Sequence, residues 1–377
     1  MILHCARTGP YPQIPNFRFR LTDPNRRDER NPTMTTLSRR TLLSATGAVS
    51  LTAILAACAD TGADGQAVSG SGETDYDTVI NSGPVAAADV VAASSWASAI
   101  KEAGVLKSGG TKTAAIFSSE NTTTGEVTGF DAAIAQTLAR YIIGGDDARA
   151  LVEITQVRSD TRETMLENGS VQAVIATYSI SPERAEKVDF AGPYYSSGQA
   201  VLVRDDEDRI TGVGDLAGVK VAVQSSSSSV GALEKAAPEA QQVPFDDQPA
   251  CLNGLKTKQV DAYVVDYPLL LSALESNEGF KIVGDTFTEE LEGIGLPRKS
   301  DAKAFVNTFL QTIYDDGTWA SIWKATIGAV IGGEAPEPPT IGSAPGSETE
   351  GASTPTAQAG SETGDDNSAE ASASPAN

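Results

Sequence analysis

The chain has 377 residues, a formal net charge of −22 and a single histidine, His4. So acidic a chain disfavours nucleic acid and anionic membrane surfaces as partners. Its three cysteines, Cys5, Cys58 and Cys251, form neither a paired disulfide framework nor the spacing of a metal site. The sequence therefore predicts no metal and no cofactor, while a hydrophobic content of 40% is sufficient for a globular core.

An export signal is expected at the start of the chain, over residues 1–57. Residues 38–43 resemble a twin-arginine pattern, and the apolar run that follows ends in LAAC at residues 55–58. Small residues before a cysteine at such a place resemble a lipobox, which predicts that Cys58 is lipidated and becomes the mature N-terminus. The alternative is a short transmembrane or buried helix, but the apolar run is too short to span a membrane comfortably. We expect translation to start at Met34, which gives the signal a basic segment of normal length.

The two segments that flank the central part of the chain are expected to lack a fixed fold. Residues 58–93 are rich in Gly, Ser, Ala and Asp and contain no Lys or Arg, which is typical of a flexible linker. Residues 333–377 are acidic, contain no aromatic residue and are rich in Pro, Ser, Thr and Gly. Such a composition predicts a disordered tail, because it buries too little apolar surface to offset the entropy of ordering.

Between these segments, apolar runs typical of strands alternate with amphipathic patterns typical of helices. The predicted helices are 95–106, 130–141, 161–167, 230–237 and 268–275, and the predicted strands are 113–117, 151–157, 171–176, 220–223 and 260–265. Asp160 and Glu163 are expected to form a capping box for the third helix. This alternation predicts mostly parallel sheets covered by helices on both faces.

The most informative run is TYSISPERAEKVDFAGPYY at residues 177–195. Ser181 is a good N-cap, and the proline after it fits the first position of a helix. Arg184 then lies in the first turn, beside unpaired N–H groups at the positive end of the helix dipole. A fixed guanidinium at that place favours the binding of a carboxylate. The alternative is a surface ion pair with Glu183 or Glu186.

This run resembles the family-3 solute-binding proteins, the polar amino-acid receptors of ABC importers, and above all their glutamate- and glutamine-binding lipoproteins. The resemblance extends from about residue 96 to residue 332. It is carried by the run above and by four further motifs: GFD at 129–131, NGSVQAVIAT at 168–177, VDAYVVD at 260–266 and DGTW at 316–319. These motifs follow one another in the order of the family, which makes the resemblance specific.

The resemblance implies an α/β fold of the two-lobed, periplasmic-binding-protein-like type II, with two hinge crossings and the ligand between the lobes. Lobe 1 would contain residues 94–202 plus 292–332, and lobe 2 residues 203–291. Gly198 and Gly293 would supply permissive backbone at the crossings.

A free amino acid presents a carboxylate and an ammonium, so its site needs one receptor for each. Arg184 is the predicted carboxylate receptor, with a bidentate geometry that lysine does not reproduce. Asp266 is the predicted ammonium receptor, because it ends a predicted strand where open α/β sheets bind ligands, and the matching aspartate of the family has this role. An aspartate there is also a common N-cap. The resemblance implies that Thr177 and Ser179 complete these contacts, the alternative being a local serine turn.

Lobe 2 offers an unbroken serine loop, residues 225–229, between a predicted strand and a predicted helix. N–H groups at a helix N-terminus are expected to hold the ligand carboxylate from this side. The family usually has glycine in this loop, and serine reaches positive φ at a cost, so the alternative is a loop that is merely flexible. The predicted contacts here are Gln224, Ser225 and Ser228.

Arg162 is the residue predicted to set selectivity. It matches an arginine that, in the acidic-amino-acid binders of the family, meets the side chain of the ligand. Acidic residues are preferred in the first turn of a helix, so the dipole gives an arginine no reason to be there. The alternative is an ion pair with Glu163 or Asp160. If Arg162 faces the cleft, glutamate or aspartate is the favoured ligand, with glutamine next.

Together these features predict a monomeric, lipid-anchored receptor on the outer face of the cytoplasmic membrane. It would bind a polar amino acid and deliver it to the permease subunits of an ABC importer. The mature chain lacks histidine, the commonest general base, and we expect no enzymatic activity. Two alternatives remain open: a dehydratase-type enzyme that uses the same cleft, and a sensor ectodomain that acts through a partner.

Overall fold

The computed structural model describes residues 75–349, so the predicted export signal, the predicted start at Met34 and the predicted lipidation site at Cys58 lie outside the described residues. Within this range the helices are α1 (Tyr76–Ser82), α2 (Ala88–Ala92), α3 (Ser95–Ala103), α4 (Phe130–Ile143), α5 (Arg162–Glu167), α6 (Pro182–Ala185), α7 (Ser228–Ala236), α8 (Gln248–Lys256), α9 (Tyr267–Ser276), α10 (Ala302–Asp315), α11 (Thr318–Ala325) and α12 (Ile327–Ile331). The strands are β1 (Leu106–Gly110), β2 (Thr113–Ala114), β3 (Ser118–Glu120), β4 (Val127–Thr128), β5 (Val152–Gln156), β6 (Ala173–Val174), β7 (Asp189–Ser197), β8 (Gln199–Arg204), β9 (Lys220–Gln224), β10 (Gln241–Phe245), β11 (Ala262–Asp266), β12 (Phe280–Val283) and β13 (Glu290–Leu296).

Lobe 1 is built around a five-stranded sheet with the strand order β5-β1-β6-β13-β7. β1 pairs in parallel with β5 and β6, whereas β13 pairs antiparallel with β6 and β7. Helix α4 packs against this sheet and is buried along most of its length. The helical face predicted from the sequence, Phe130, Ile134, Leu138 and Tyr141, is buried, and alanines on the other faces let neighbouring helices approach closely.

Lobe 2 repeats this arrangement in a second five-stranded sheet with the order β10-β9-β11-β8-β12. β9 pairs in parallel with β10 and β11, whereas β8 pairs antiparallel with β11 and β12. The predicted parallel pairing is confirmed for the strands that belong to strand–helix repeats. The strands beside the crossings run antiparallel, because the chain enters them from the other lobe and not from a crossover helix.

The two crossings lie between β7 and β8 and between β12 and β13. The predicted lobe boundary at residues 202 and 203 is therefore too late, since β8 already pairs with β11 of lobe 2 from Gln199 onward. The predicted return at residue 292 is also slightly late, because β13 pairs with β7 of lobe 1 from Glu290.

The glycines at the crossings are required for close approach. A Cβ on Gly198 would collide with the carbonyl oxygen of Thr288, which belongs to the other crossing. A Cβ on Gly293 would lie 2.7 Å from Ile180 side-chain carbons. Glycine at position 198 thus lets the two crossing segments run side by side. Both glycines are required because a side chain would not fit, and not for the conformational freedom predicted from the sequence.

Two predicted elements of lobe 1 differ from the structure. The predicted strand 113–117 is reduced to β2, in a small antiparallel sheet with β3 and β4, and the main sheet uses β1 instead. β1 contains glycines because space is tight there: a Cβ on Gly109 would lie 2.8 Å from Val157 Cγ1. The capping box of α5 does not form, since the N-cap is Thr161 and Glu163 accepts a hydrogen bond from Tyr178 instead.

Both flanking segments contain ordered parts that the sequence did not predict. Within the predicted linker, α1 and α2 pack on lobe 1 and bury Ile80 and Val91 completely or nearly so. Within the predicted disordered tail, residues 334–349 are placed, and Ala344 and Ser347 are buried. The expectation of disorder therefore fails for these parts, because a few well-placed small or apolar side chains suffice when a surface already exists to receive them. None of the helices in residues 75–349 combines the length and apolar character needed to cross a bilayer.

Candidate functional site between the lobes

A polar cavity lies between the two lobes. Lobe 1 contributes Arg162, Thr177 and Ser179 to its lining, and lobe 2 contributes Gln224, Ser228 and Asp266. These six are among the eight contacts predicted from the sequence. The other lining residues are Thr111, Thr113, Ala114, Gln156, Val157, Arg158, Ser159, Ala176, Ser227, Asp247, Gln248, Val265 and Leu269.

Arg162 forms a buried part of the lobe 1 wall, with 4% of its surface exposed. Its Nη1 donates a hydrogen bond to the carbonyl oxygen of Ala176 at 3.2 Å, and its guanidinium lies 4.0 Å from the centre of the Tyr178 ring. Its Nε has no hydrogen-bond partner among the residues that the structure describes. Burial and, after it, the nearby charge of Arg184 lower the pKa of Arg162 to about 10, so the side chain remains protonated at neutral pH.

Arg184, on helix α6, is not among the residues that line the cavity, although it contacts the lining residue Ser179. The helix starts as predicted: Ser181 Oγ accepts a hydrogen bond from the N–H of Arg184, and a proline follows the cap. Arg184 Nη1 donates to the carbonyl oxygen of Ser179 at 2.6 Å, and Nη2 reaches across to the carbonyl oxygen of Ser226 in lobe 2 at 3.2 Å. The nearest carboxylate is Glu163 at 3.9 Å, so the predicted alternative of a pair with Glu183 or Glu186 is not what forms.

Asp266 ends β11 on the lobe 2 side and is 5% exposed. Although it occupies the N-cap position of α9, its side chain accepts a hydrogen bond from Gln199 Nε2 at 3.0 Å instead of capping the helix. Burial and the nearby carboxylate of Glu290 raise the pKa of Asp266 to about 8, while Arg184 and Arg162 lower it. The carboxylate and the two guanidinium groups therefore share one electrostatic environment across the cleft.

The backbone at Thr177 is strained and held by a buried carboxylate. Thr177 has φ of 44°, which is rare for a β-branched residue. Its N–H donates to Asp131 Oδ2 at 2.8 Å, and Tyr194 donates its hydroxyl to Asp131 Oδ1 at 2.7 Å. Burial outweighs the opposing effect of these two hydrogen bonds and raises the pKa of Asp131 to about 7. Asp131 thus fixes the orientation of the wall that Thr177 and Ser179 form.

The serine loop, residues 225–229, is ordered and has one residue with positive φ, Ser226 at 61°. Ser225 faces away from the cavity, since both its N–H and its hydroxyl donate to the carbonyl oxygen of Phe245. Ser225, a predicted ligand contact, is not among the lining residues, whereas Ser227, which was not predicted, lines the cavity. Ser228 lies 3.2 Å from the hydroxyl of Ser179, so the loop meets lobe 1 directly. Gln224 donates its side-chain amide to the hydroxyl of Tyr263.

Behind the cavity, the crossings bring together buried polar groups that the sequence analysis missed. Gln199 faces Asp266 in the β8–β11 pairing, and its amide nitrogen, which has two N–H groups, lies 3.0 Å from Asp266 Oδ1, 2.8 Å from Glu290 Oε1 and 3.3 Å from Ser228 Oγ. Glu290 also accepts a hydrogen bond from Ser179 at 2.6 Å. Neither carboxylate oxygen of Glu292 has a hydrogen-bond partner within residues 75–349, and burial raises its pKa well above the usual value. The sequence signal for this group was the position of these residues within the predicted crossings.

Further contacts between the lobes lie around the cavity. Arg158 of lobe 1 forms an ion pair with Asp246 of lobe 2 at 3.4 Å, and Ser272 of lobe 2 accepts a hydrogen bond from the N–H of Ile116 at 3.1 Å. Together with the contacts of the serine loop, these interactions bring the lobes into direct contact over the cleft. Such contacts can form or break when the lobes move about the crossings.

The arrangement places a positive side and a negative side in one small space. Two guanidinium groups of lobe 1, those of Arg158 and Arg162, line the cavity together with two carboxylates of lobe 2, those of Asp247 and Asp266, and with hydroxyl and amide groups of both lobes. Charged hydrogen-bond partners within a buried site interact more strongly than in water. A small zwitterion is the ligand whose charges fit this distribution.

Two α/β lobes joined by two crossings around one polar cleft define a periplasmic-type solute-binding fold. The model of the bacterial extracellular solute-binding proteins, family 3, matches residues 106–328, which include both lobes. The chain belongs to this family, as the resemblance predicted.

Named relatives agree with this assignment. The ABC transporter glutamine-binding protein GlnH of Bacillus subtilis is 33% identical over 277 residues, which cover 73% of this chain and 92% of that protein. The glutamate-binding protein GluB of Corynebacterium efficiens is 33% identical over 213 residues, which cover 54% of this chain and 72% of that protein. Among solved structures, an ancestral arginine-binding protein bound to glutamine is similar with a TM-score of 0.54 and 31% identity, over 61% of this chain and 99% of that one.

Proposed function

We propose that this protein is the extracytoplasmic receptor of an ABC importer, and that it binds a polar amino acid in the cleft between its lobes. The observation that carries the proposal is that Arg162 of lobe 1 and Asp266 of lobe 2 line one cavity, with Arg184 hydrogen-bonded to the backbone of Ser179 and Ser226 beside it. It is supported by the names of the relatives, which are binding proteins for glutamine and glutamate.

In this proposal the negative side of the site receives the α-ammonium group. Asp266 is the receptor, and Gln199 holds its carboxylate through the hydrogen bond to Oδ1. Glu290, held by the same amide and by Ser179, adds negative potential behind it. An incoming ammonium compensates the charge of Asp266, so this carboxylate ionises when the ligand binds.

The positive side of the site receives the carboxylates. Arg184, which contacts the lining residue Ser179, holds the α-carboxylate together with the hydroxyl groups of Thr177 and Ser228. Arg162 has an unused Nε donor in the buried wall, within the residues that the structure describes, and it meets the end of the ligand side chain. A buried donor that gains a charged partner favours glutamate or aspartate.

Glutamine is the other favoured ligand. Around Arg162 the lining contains neutral polar side chains, among them Gln156, Ser159 and Gln248. These groups can pair with a side-chain amide as well as with a carboxylate. Arginine as a ligand is disfavoured, because its side chain would place a second cation next to Arg162.

The remaining parts of the proposal come from the sequence. The LAAC run at residues 55–58 supports a lipid on Cys58, which would hold the protein on the outer face of the cytoplasmic membrane. The closed, liganded form would then dock on the permease subunits, because ligand binding shifts the equilibrium between open and closed lobes. We propose binding without chemistry, since the cleft groups match a zwitterion and the relatives are named as binding proteins.

The test is isothermal titration calorimetry of the full chain with glutamine, glutamate, aspartate, asparagine, arginine and histidine. We expect glutamine or an acidic amino acid to bind with Kd in the micromolar range or below, about −8 kcal/mol or better. Arg184→Ala should remove most of this affinity. The bound amino acid should be recovered unchanged by mass spectrometry after incubation. Failure of all six amino acids to bind would refute the proposal, and conversion of the ligand would favour the enzyme alternative.

A further inference from the structure

The C-terminal strap, defined here as residues 340–349, packs against lobe 1 beside the helix that carries Arg184. Its first part is attached to the lobe 1 sheet, where Gly342 donates its N–H to the carbonyl oxygen of Gly192 at 2.8 Å. Two small side chains, Ala344 and Ser347, are 2% and 0% exposed. The strap is therefore inserted into the surface of the lobe.

The strap continues onto helix α6. A Cβ on Gly346 would lie 2.9 Å from the Cβ of Ala185 and 3.3 Å from the carbonyl oxygen of Ser181. Gly346 also has φ of 102°, a conformation that other residues rarely adopt. Glycine at this position lets the strap backbone lie directly on both ends of α6.

Helix α6 depends on such contacts because it has only four residues. So short a helix is unstable in isolation, since the cost of forming the first turn is not recovered by further turns. Two of its four side chains, Pro182 and Glu183, are exposed, whereas Arg184 and Ala185 are half-buried. The Ser181 cap and the strap are among the contacts that hold the two ends of this helix.

We propose that the strap positions Arg184 for the ligand carboxylate by holding α6 in place. This inference rests on the proposed function, in which Arg184 is the carboxylate receptor. The strap does not touch the ligand in this account. It acts on the orientation of the guanidinium, which spans from Ser179 to the serine loop across the cleft.

The first experiment compares two truncations of the full chain by calorimetry with the best-binding amino acid of the panel. A chain that ends at residue 339 lacks the strap, and a matched chain that ends at residue 349 keeps it. We expect the shorter chain to bind about tenfold more weakly or worse, and the longer one to bind like the full chain. Gly346→Val in the full chain is the second variant, and it should also weaken binding. It tests the inference even if the shorter chain does not fold.

The second experiment separates positioning from general stability. The strap truncation is combined with Arg184→Lys, which retains the charge but lacks the fork of donors. If the strap acts through Arg184, its removal should change the affinity of the Arg184→Lys protein less than about twofold. Equal loss of affinity in both backgrounds would overturn the inference, and so would full affinity of the chain that ends at residue 339.

Hydrogen exchange gives a readout that does not require a ligand. Loss of the strap should accelerate exchange of the amides of residues 181–188, while the amides of β9 and β11 in lobe 2 keep their protection. Unchanged exchange at residues 181–188 would contradict the inference whatever the affinities are. By contrast, if the full chain binds no amino acid, or if Arg184→Lys binds like the unmodified protein, the proposed function fails while the exchange result still tests the strap.

Discussion

Replacing Asp266 with asparagine should weaken amino-acid binding and remove most of its pH dependence. The side chain is 5% exposed and its Oδ1 accepts from Gln199, so asparagine fits the space but carries no charge. Loss of one partner from a buried charge pair costs about 2–5 kcal/mol. We therefore expect Kd to rise by roughly 30-fold to a few thousandfold at pH 8.

The pH dependence follows from the raised pKa of Asp266, about 8 in the free protein. At pH 7 the free carboxyl is protonated in about nine molecules of ten, and binding of an ammonium must first remove that proton at a cost of about 1.4 kcal/mol. The affinity should rise about tenfold per pH unit between pH 6 and 7 and level off near pH 8. Asp131 and Glu292 also have raised pKa values, so a smaller slope can remain in the variant.

The assay is calorimetry at pH 6, 7 and 8 in two buffers of different ionisation enthalpy, which counts the protons released on binding. The unmodified protein should release close to one proton more than Asp266→Asn at pH 6. Asp208→Asn is the control, because it removes an exposed lobe 2 carboxylate that pairs with Lys281. Equal proton release by all three proteins would refute the assignment of Asp266 as the ammonium receptor.

Three further predictions test other parts of the account. Arg162→Met should weaken glutamate binding by about 1.5–3 kcal/mol and glutamine binding by less, as measured by calorimetry, whereas equal losses would argue against a side-chain contact. Gly198→Ala should lower the free energy of unfolding by about 1–3 kcal/mol in urea titrations, since its Cβ meets the Thr288 carbonyl. Gly214→Ala is the matched control, because there is open space around Gly214. Equal stability of the two variants would contradict the steric argument. Glu292→Gln should gain stability over the unmodified protein as pH rises above about 4.5, by up to about 1.4 kcal/mol per pH unit. The reason is that the raised pKa of Glu292 makes its ionised form unfavourable in the folded state. A difference in unfolding free energy between the two proteins that stays constant between pH 5 and 7 would rule this out.

Local patterns predicted the start of α6 and the placement of Asp266 correctly. A serine followed by a proline is a helix-start signal that acts over a few residues, and the structure uses it at Ser181. Asp266 could be placed because an apolar run before a helix marks the end of a strand, whatever its neighbours in the sheet are. Both signals are contained within one short stretch of sequence.

The groups behind the cavity could not be predicted in the same way. Gln199, Glu290 and Asp266 meet because β8, β13 and β11 come together at the crossings, and their separation along the chain carries no local signal. Glu292 looks like an ordinary surface residue in the sequence, yet it is 0% exposed. Tertiary pairing decides these contacts.

The ends of the domain were mispredicted for a related reason. Composition correctly described segments with little apolar surface, but Ile80 and Ala344 find preformed sites on lobe 1. The serine loop shows the opposite case, in which backbone geometry overrides a residue preference: Ser226 adopts positive φ without glycine. Such positions depend on the surrounding tertiary structure.

A crystal structure of the protein with its bound amino acid tests the central claim most directly. It should show the ligand nitrogen about 2.7–3.2 Å from the Asp266 carboxylate and the α-carboxylate facing Arg184, with both lobes in contact with the ligand. An amino acid bound outside the cleft, or one whose nitrogen points away from Asp266, would contradict the account.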